Sequence, residues 1–98
     1  MAQTLHIVAH VTARAGEEKK VREELERLIE PTRSEPGCRK YELFVNKEKP
    51  GDYVIVEEYE DDAAFDAHMS SKHVTTAVSE IVPLLASPPD VRHYVKLG

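Results

Sequence analysis

Two histidines five positions apart, His68 and His73, flank a Ser70-Ser71 pair that interrupts an otherwise helical pattern. A break there lets both imidazoles turn toward one space. Histidine changes charge near neutral pH, so such a pair can take up and hand on a proton without a special environment. The plainer alternative is a helix-end residue in water and a capping residue. Two histidines alone make an incomplete metal site, because a structural or catalytic ion needs at least a third protein ligand, so no metal is expected. Just upstream stand Glu57, Glu58 and Tyr59. Strand alternation sends Glu57 and Tyr59 to one face and Glu58 to the other. A carboxylate on a covered face is costly unless partnered. Either Glu57 or Glu58 can therefore serve a histidine or a substrate hydroxyl, unless the position is open to water.

The other candidates carry less. His6 and His10 share one face of a strand and point to an interface or to solvent, as does His93. Cys38, beside a turn and without a motif partner, suits a small filler better than a nucleophile. The chain contains no G-x-G-x-x-G, P-loop, C-x-x-C or H-E-x-x-H motif, so the common nucleotide, thiol and metalloprotease chemistries lack their signatures.

These residues need elements to position them. Leu5, Ile7, Ala9, Val11 and Ala13 alternate with His6, Val8, His10 and Thr12, which predicts a strand over residues 5–13. After Gly16, the spacing of Val21, Leu25, Leu28, Ile29 and Thr32 predicts one amphipathic helix over residues 17–32. Ser34-Glu35-Pro36-Gly37 is turn chemistry. Residues 38–46 read as a second strand with Tyr41, Leu43 and Val45 on one face. A polar loop through Pro50-Gly51 leads to a third strand over residues 53–60. Asp61 or Asp62 can cap a short helix carrying Phe65, His68 and Met69, and Ser71 can cap another carrying Val74, Ala77, Val78, Ile81, Val82 and Leu85. Residues 91–97 form the last strand. The order β-α-β-β-α-α-β predicts a ferredoxin-like α+β fold in one domain, residues 1–98, with helices on one face of an antiparallel sheet.

That sheet is apolar on both faces. Val8, Phe44, Val54, Val56 and Tyr94 lie opposite Leu5, Ile7, Leu43, Ile55 and Val91. The chain's own helices cover only one face. A chain of 98 residues buries only about 60–70% of its unfolded surface, so a second copy covering the other face in a two-fold dimer is the expectation. Thirteen basic against eighteen acidic residues give a net charge of −5, which argues against a phosphate-backbone binder. No apolar run approaches the roughly 18 residues that cross a bilayer. Met1-Ala2-Gln3-Thr4 lacks the features of a signal peptide, and the single cysteine suits a reducing, cytoplasmic setting.

Two segments resemble one family. Glu35-Pro36-Gly37-Cys38 with Tyr41, and the run from Glu57 through Tyr59, Ala64 and His68 to His73, are similar to the motifs of the antibiotic biosynthesis monooxygenase (ABM) domain family, quinol monooxygenase-like members included. The resemblance spans nearly the whole chain. It implies a dimeric α/β-barrel of ferredoxin-like subunits and oxygenation of a small phenolic or quinol substrate by dioxygen, with no metal, flavin or haem. It implies His68 as base or proton relay and Glu57 as the group orienting it or the substrate. Tyr59, His73, Tyr41 and Phe65 would line the pocket. Tyr59 stands where many members have Trp, and Lys72 where many have Pro. The haem-degrading branch is a poor match, since its haem-binding histidine falls near Val78. A branch resembling an isomerase of a phosphorylated signalling sugar shares the same His and Glu features. A non-catalytic dimer binding a small ligand is the third alternative.

Overall fold

The computed structural model describes residues 3–98. Four strands, β1 (Leu5–Thr12), β2 (Cys38–Val45), β3 (Asp52–Tyr59) and β4 (Asp90–Tyr94), form one sheet in the order β2-β3-β1-β4, and every neighbouring pair is antiparallel. Helices α1 (Glu18–Arg27), α2 (Ile29–Arg33), α3 (Asp62–Ser70) and α4 (Lys72–Ile81) supply the other layer. This is the ferredoxin-like arrangement expected from the order of elements.

The helix expected over residues 17–32 is two helices. Pro31 has no N–H to give the Arg27 carbonyl, and its ring crowds that carbonyl, so an unbroken α-helix is unfavourable there. The backbone tightens instead, with the Leu28 N–H donating to the Leu25 carbonyl at 3.1 Å, and α2 starts one residue later. The last strand is also shorter than residues 91–97. Its pairing with β1 ends at His6↔Tyr94, one residue short of the start of β1 at Leu5, so from Lys96 onward no residue of β1 lies opposite. The two later helices begin on the expected caps. Asp61 Oδ1 accepts from the Ala64 N–H at 2.8 Å, and Ser71 Oγ accepts from the Val74 N–H at 3.4 Å.

Alternation sorts the strands into two faces. Leu5, Ile7, Ala9 and Val11 of β1 and Tyr53, Ile55, Glu57 and Tyr59 of β3 are buried on the helix side. Ala9, Val11, Tyr53 and Ile55 join Val21 and Leu25 of α1 and Val74, Ala77 and Ile81 of α4 in the main core. A smaller core of Leu5, Ile7, Tyr59 and Phe65 lies at the end of the sheet where β1 begins. The opposite face is open. There Phe44 and Tyr94 are each nearly half exposed, Val8, Val54 and Val56 are half-buried, and Glu58 is paired with Lys40 at 3.5 Å. A bulge between Cys38 and Lys40 keeps Cys38 against the core while Tyr41 points the same way.

Between α2 and β2 the chain turns tightly onto α3. A Cβ at Gly37 would overlap that of Ala64, with the Ala64 backbone 3.5 Å away, and the Gly37 carbonyl accepts from the Glu60 N–H at 2.9 Å. Gly37→Ala should therefore push the turn off α3 and lower stability by about 1–3 kcal/mol. Urea unfolding would read this as a reduced midpoint at unchanged slope, and an unchanged midpoint would contradict the packing described.

Candidate active site

At the smaller core, three elements and one turn bring six side chains together. Glu57 and Tyr59, two apart on β3, both face the helices, and the Tyr59 hydroxyl donates to Glu57 Oε1 at 2.6 Å. His68, three residues after Phe65 on α3, falls on the same helix face and is buried. Its Nε2 lies 3.8 Å from Glu57 Oε1. Its Nδ1 lies 3.0 and 3.2 Å from the two carboxylate oxygens of Glu35, in the turn before β2. His73, in the first turn of α4, places Nε2 at 2.5 Å from Glu35 Oε2 and 3.2 Å from Ser71 Oγ. A polar line thus runs from Tyr59 through Glu57, His68 and Glu35 to His73, hydrogen-bonded at every step but the 3.8 Å one between Glu57 and His68.

Three aromatic rings enclose His68. The centroids of Tyr59, Tyr41 and Phe65 lie 5.1, 5.9 and 6.0 Å from that of its imidazole. Phe65 in turn meets His93 edge-on at 5.1 Å, on the exposed edge strand β4. The Phe65–His93 pair is therefore the thin wall between His68 and solvent on that side. On another side, His73 lines a groove of about 510 Å³ with Glu24, Arg27, Leu28, Lys72, Thr76 and Ala77, between α1 and α4. Tyr41, Tyr59 and Phe65 are not in that lining.

Burial sets the electrostatics. Removal from water pushes Glu57 up to about 7, the Tyr59 hydrogen bond works against the shift, and the charge of Glu35 adds to it. Burial, then the Glu57 charge, raises Tyr59, and burial with Glu57 and Glu35 raises Tyr41, so both phenols stay protonated donors. Burial lowers His68, and the bond to Glu35 opposes this. Its imidazole is thereby favoured as the neutral base, with the Nδ1 proton on Glu35 and the Nε2 lone pair toward Glu57. Cys38 is raised by burial and by Glu35, which keeps it a thiol and a weak nucleophile.

The sequence places His68, His73, Glu57, Tyr59, Tyr41 and Phe65 at the site, and the structure brings them together. Of the two acids left open, Glu57 is inside and Glu58 is on the open face, 3.9 Å from His6 Nδ1. His10 is also on the open face, paired with Asp90. His93 differs from the expectation of interface or solvent alone. It sits opposite Ile7 on the helix side, exposed yet against Phe65. Glu35 is the residue that the sequence reading missed. It reads as part of a turn, and its contacts lie 33 and 38 positions away. The available signal was its place in the Glu35-Pro36-Gly37-Cys38 segment.

A four-stranded antiparallel sheet with this one-sided constellation defines a ferredoxin-like protein with a buried acid–histidine site. Residues 4–80 match the antibiotic biosynthesis monooxygenase family, and the chain belongs to it. It is 31% identical over 88 residues to "Putative monooxygenase Rv0793" of Mycobacterium tuberculosis, covering 90% of this chain and 86% of that one. It is 26% identical over 83 residues to "Putative monooxygenase YcnE" of Bacillus subtilis, covering 85% and 87%. A solved antibiotic biosynthesis monooxygenase superposes with a TM-score of 0.91 at 31% identity, covering 96% of this chain and 99% of that chain.

An acid raised by folding binds its proton more tightly in the native than in the unfolded chain. Its contribution to stability is full below its unfolded value and is lost as pH rises through its folded value. For Glu57 that window runs from about 4.5 to about 7. Glu57→Gln should remove this decline, so the stability of the variant relative to the parent should rise across the window in chemical denaturation. Parallel curves for the two proteins would show that Glu57 does not titrate there.

Proposed function

We propose that the protein is a cofactor-independent monooxygenase that oxidises a small phenolic or quinol substrate with dioxygen. The observation that carries this reading is the orientation of His68. Glu35 holds its Nδ1 as a donor, which leaves the Nε2 lone pair facing Glu57 among the rings of Tyr59, Tyr41 and Phe65, where a substrate enters by displacing part of that packing. A phenol O–H placed there loses its proton to Nε2. The resulting phenolate is electron-rich enough to reduce dioxygen itself. One oxygen atom enters the ring and the other leaves as water, and the substrate supplies every electron. The protein's work is then deprotonation, orientation and exclusion of water. Glu57 and the Tyr59 hydroxyl orient the substrate or the imidazole, Tyr41 and Phe65 wall the ring, and Glu35 with His73 passes the proton outward.

The monooxygenase names of the relatives support oxygenation over the isomerase alternative, which would use the same groups for proton transfer alone. The reading includes a homodimer through the open sheet face, supported by the exposure of Phe44 and Tyr94 beside Val8, Val54 and Val56. It also places the protein in the cytoplasm, supported by the free thiol of Cys38. Among the described residues no helix is long and apolar enough to cross a membrane.

An oxygen electrode with a panel of reduced quinols and polyphenols tests the activity. Uptake above the uncatalysed rate is expected for at least one compound, and none across the panel would refute the reading. His68→Ala should lower turnover by about 10²–10⁴-fold, and an unchanged rate would remove His68 as the base. Light scattering should give the mass of two chains, and Phe44→Glu with Tyr94→Glu should give that of one. A parent protein with the mass of one chain would sink the dimer.

A further inference from the structure

Two carboxylates meet at the site without a fixed cation. Among the described residues, the ion-pair partners of Glu35 and Glu57 are histidines, and neither acid meets a lysine or an arginine. Glu57 is buried and Glu35 partly buried, and placing them beside neutral imidazoles is costly unless a proton or a bound ion supplies positive charge. The donor atoms of Glu35, His68 and His73 all lie within 4.8 Å of one another. They come from the turn before β2, the end of α3 and the first turn of α4, so the fold aims them from three directions.

We infer that Glu35, His68 and His73 bind one divalent metal ion of the zinc type, with Glu57 as the outer carboxylate behind His68. Two imidazoles and a carboxylate suit Zn²⁺, whose bonds of about 2.0–2.2 Å set tetrahedral donors about 3.3 Å apart. Glu35 Oε2 now lies 3.0 Å from His68 Nδ1 and 2.5 Å from His73 Nε2, as in a carboxylate holding two N–H groups. At Glu35 an opening of less than an ångström makes room for an ion, and the two imidazole nitrogens lie within 4.8 Å of each other to close on it. The outer arrangement is already present. A metal-bound histidine generally gives its second N–H to a carboxylate; His68 Nε2 lies 3.8 Å from Glu57 Oε1, and the Tyr59 hydroxyl holds that oxygen. Glu35 and Glu57 together match the charge of the ion. Three protein ligands leave a coordination position free, and His73 borders the groove between α1 and α4, which gives a route from solvent.

The ion would act as an off switch, a consequence that rests on the function proposed above. Metal on Nδ1 of His68 puts the ring's remaining proton on Nε2. The loaded imidazole then has no lone pair for a phenol.

Tag-free, chelator-treated protein titrated with Zn²⁺ by calorimetry, and with Co²⁺ by visible absorption, tests the site directly. One ion per chain and a Co²⁺ ligand-field band are expected. Glu35→Gln and His73→Ala, each checked for a native circular dichroism spectrum, should weaken binding at least tenfold. Glu57→Gln should weaken it by about 10–100-fold, the usual worth of an outer carboxylate. His6→Ala, which removes the histidine paired with Glu58 on the open face, should leave it unchanged. No saturable binding, or equal binding in Glu35→Gln and His73→Ala, would overturn the site. Zn²⁺ that binds without suppressing oxygen uptake over the same range would overturn the switch alone. No uptake at all would refute the proposed reaction, while calorimetry still decides the site.

Discussion

The Glu35 carboxylate lies between two imidazoles carried by consecutive helices, and the surrounding geometry follows from that placement. Its oxygens meet Nδ1 of His68 at 3.0 and 3.2 Å and Nε2 of His73 at 2.5 Å. To reach both, the turn must press against α3, which Gly37 permits where any Cβ would strike Ala64. The helices must also part between the two rings. Ser71 does this, closing α3 through its hydroxyl on the His68 carbonyl at 2.6 Å and capping α4. Hydrogen bonds to a charged group contribute about 1.5–3 kcal/mol. Their larger effect here is directional, because a proton fixed on Nδ1 fixes the lone pair on Nε2.

Stability and chemistry occupy different ends of the helix layer. The main core is largely aliphatic, with Val21, Leu25, Val74, Ala77 and Ile81 over Ala9, Val11 and Ile55, and Tyr41 joins it to the site. Glu57, His68 and Tyr59 sit at the other end, where β1 begins and the edge strand β4 is exposed. The cost of burying them is localised to one corner.

The fold was largely legible because its signals are local. Period-two alternation marked each strand, and caps at Asp61 and Ser71 marked both later helices. Pro31 is where local pattern misleads: the apolar spacing from Val21 to Thr32 continues through it, and only the missing N–H and the ring break the helix. The bulge at Cys38–Lys40 left no such trace, since it depends on pairing with Glu58 and Tyr59. The site was half legible. Residue type and spacing singled out His68 and His73. Glu35 was hidden because no local pattern joins a turn residue to rings more than 30 positions later, and the choice between Glu57 and Glu58 needed to know which face the helices cover.

That last choice is a matter of register. Glu57 stands opposite Ile7 and Glu58 opposite His6. A slip of one residue in β3 would exchange the two acids between faces. Glu58 would enter the helix side, Glu57 would join Lys40 and His6 outside, and Val54 and Val56 would replace Tyr53 and Ile55 in the core. The Tyr53 hydroxyl, which donates to the Glu18 carbonyl at 3.0 Å, would lose its partner. Apolar residues on both faces make such a slip cheaper in hydrophobic terms than in an ordinary half-wet sheet, since valines would still fill the helix side. The polar contacts of Tyr53 and Tyr59 therefore carry more of the burden of specifying the register. The hydroxyl that holds Glu57 in the site also helps to keep it on that face of the sheet.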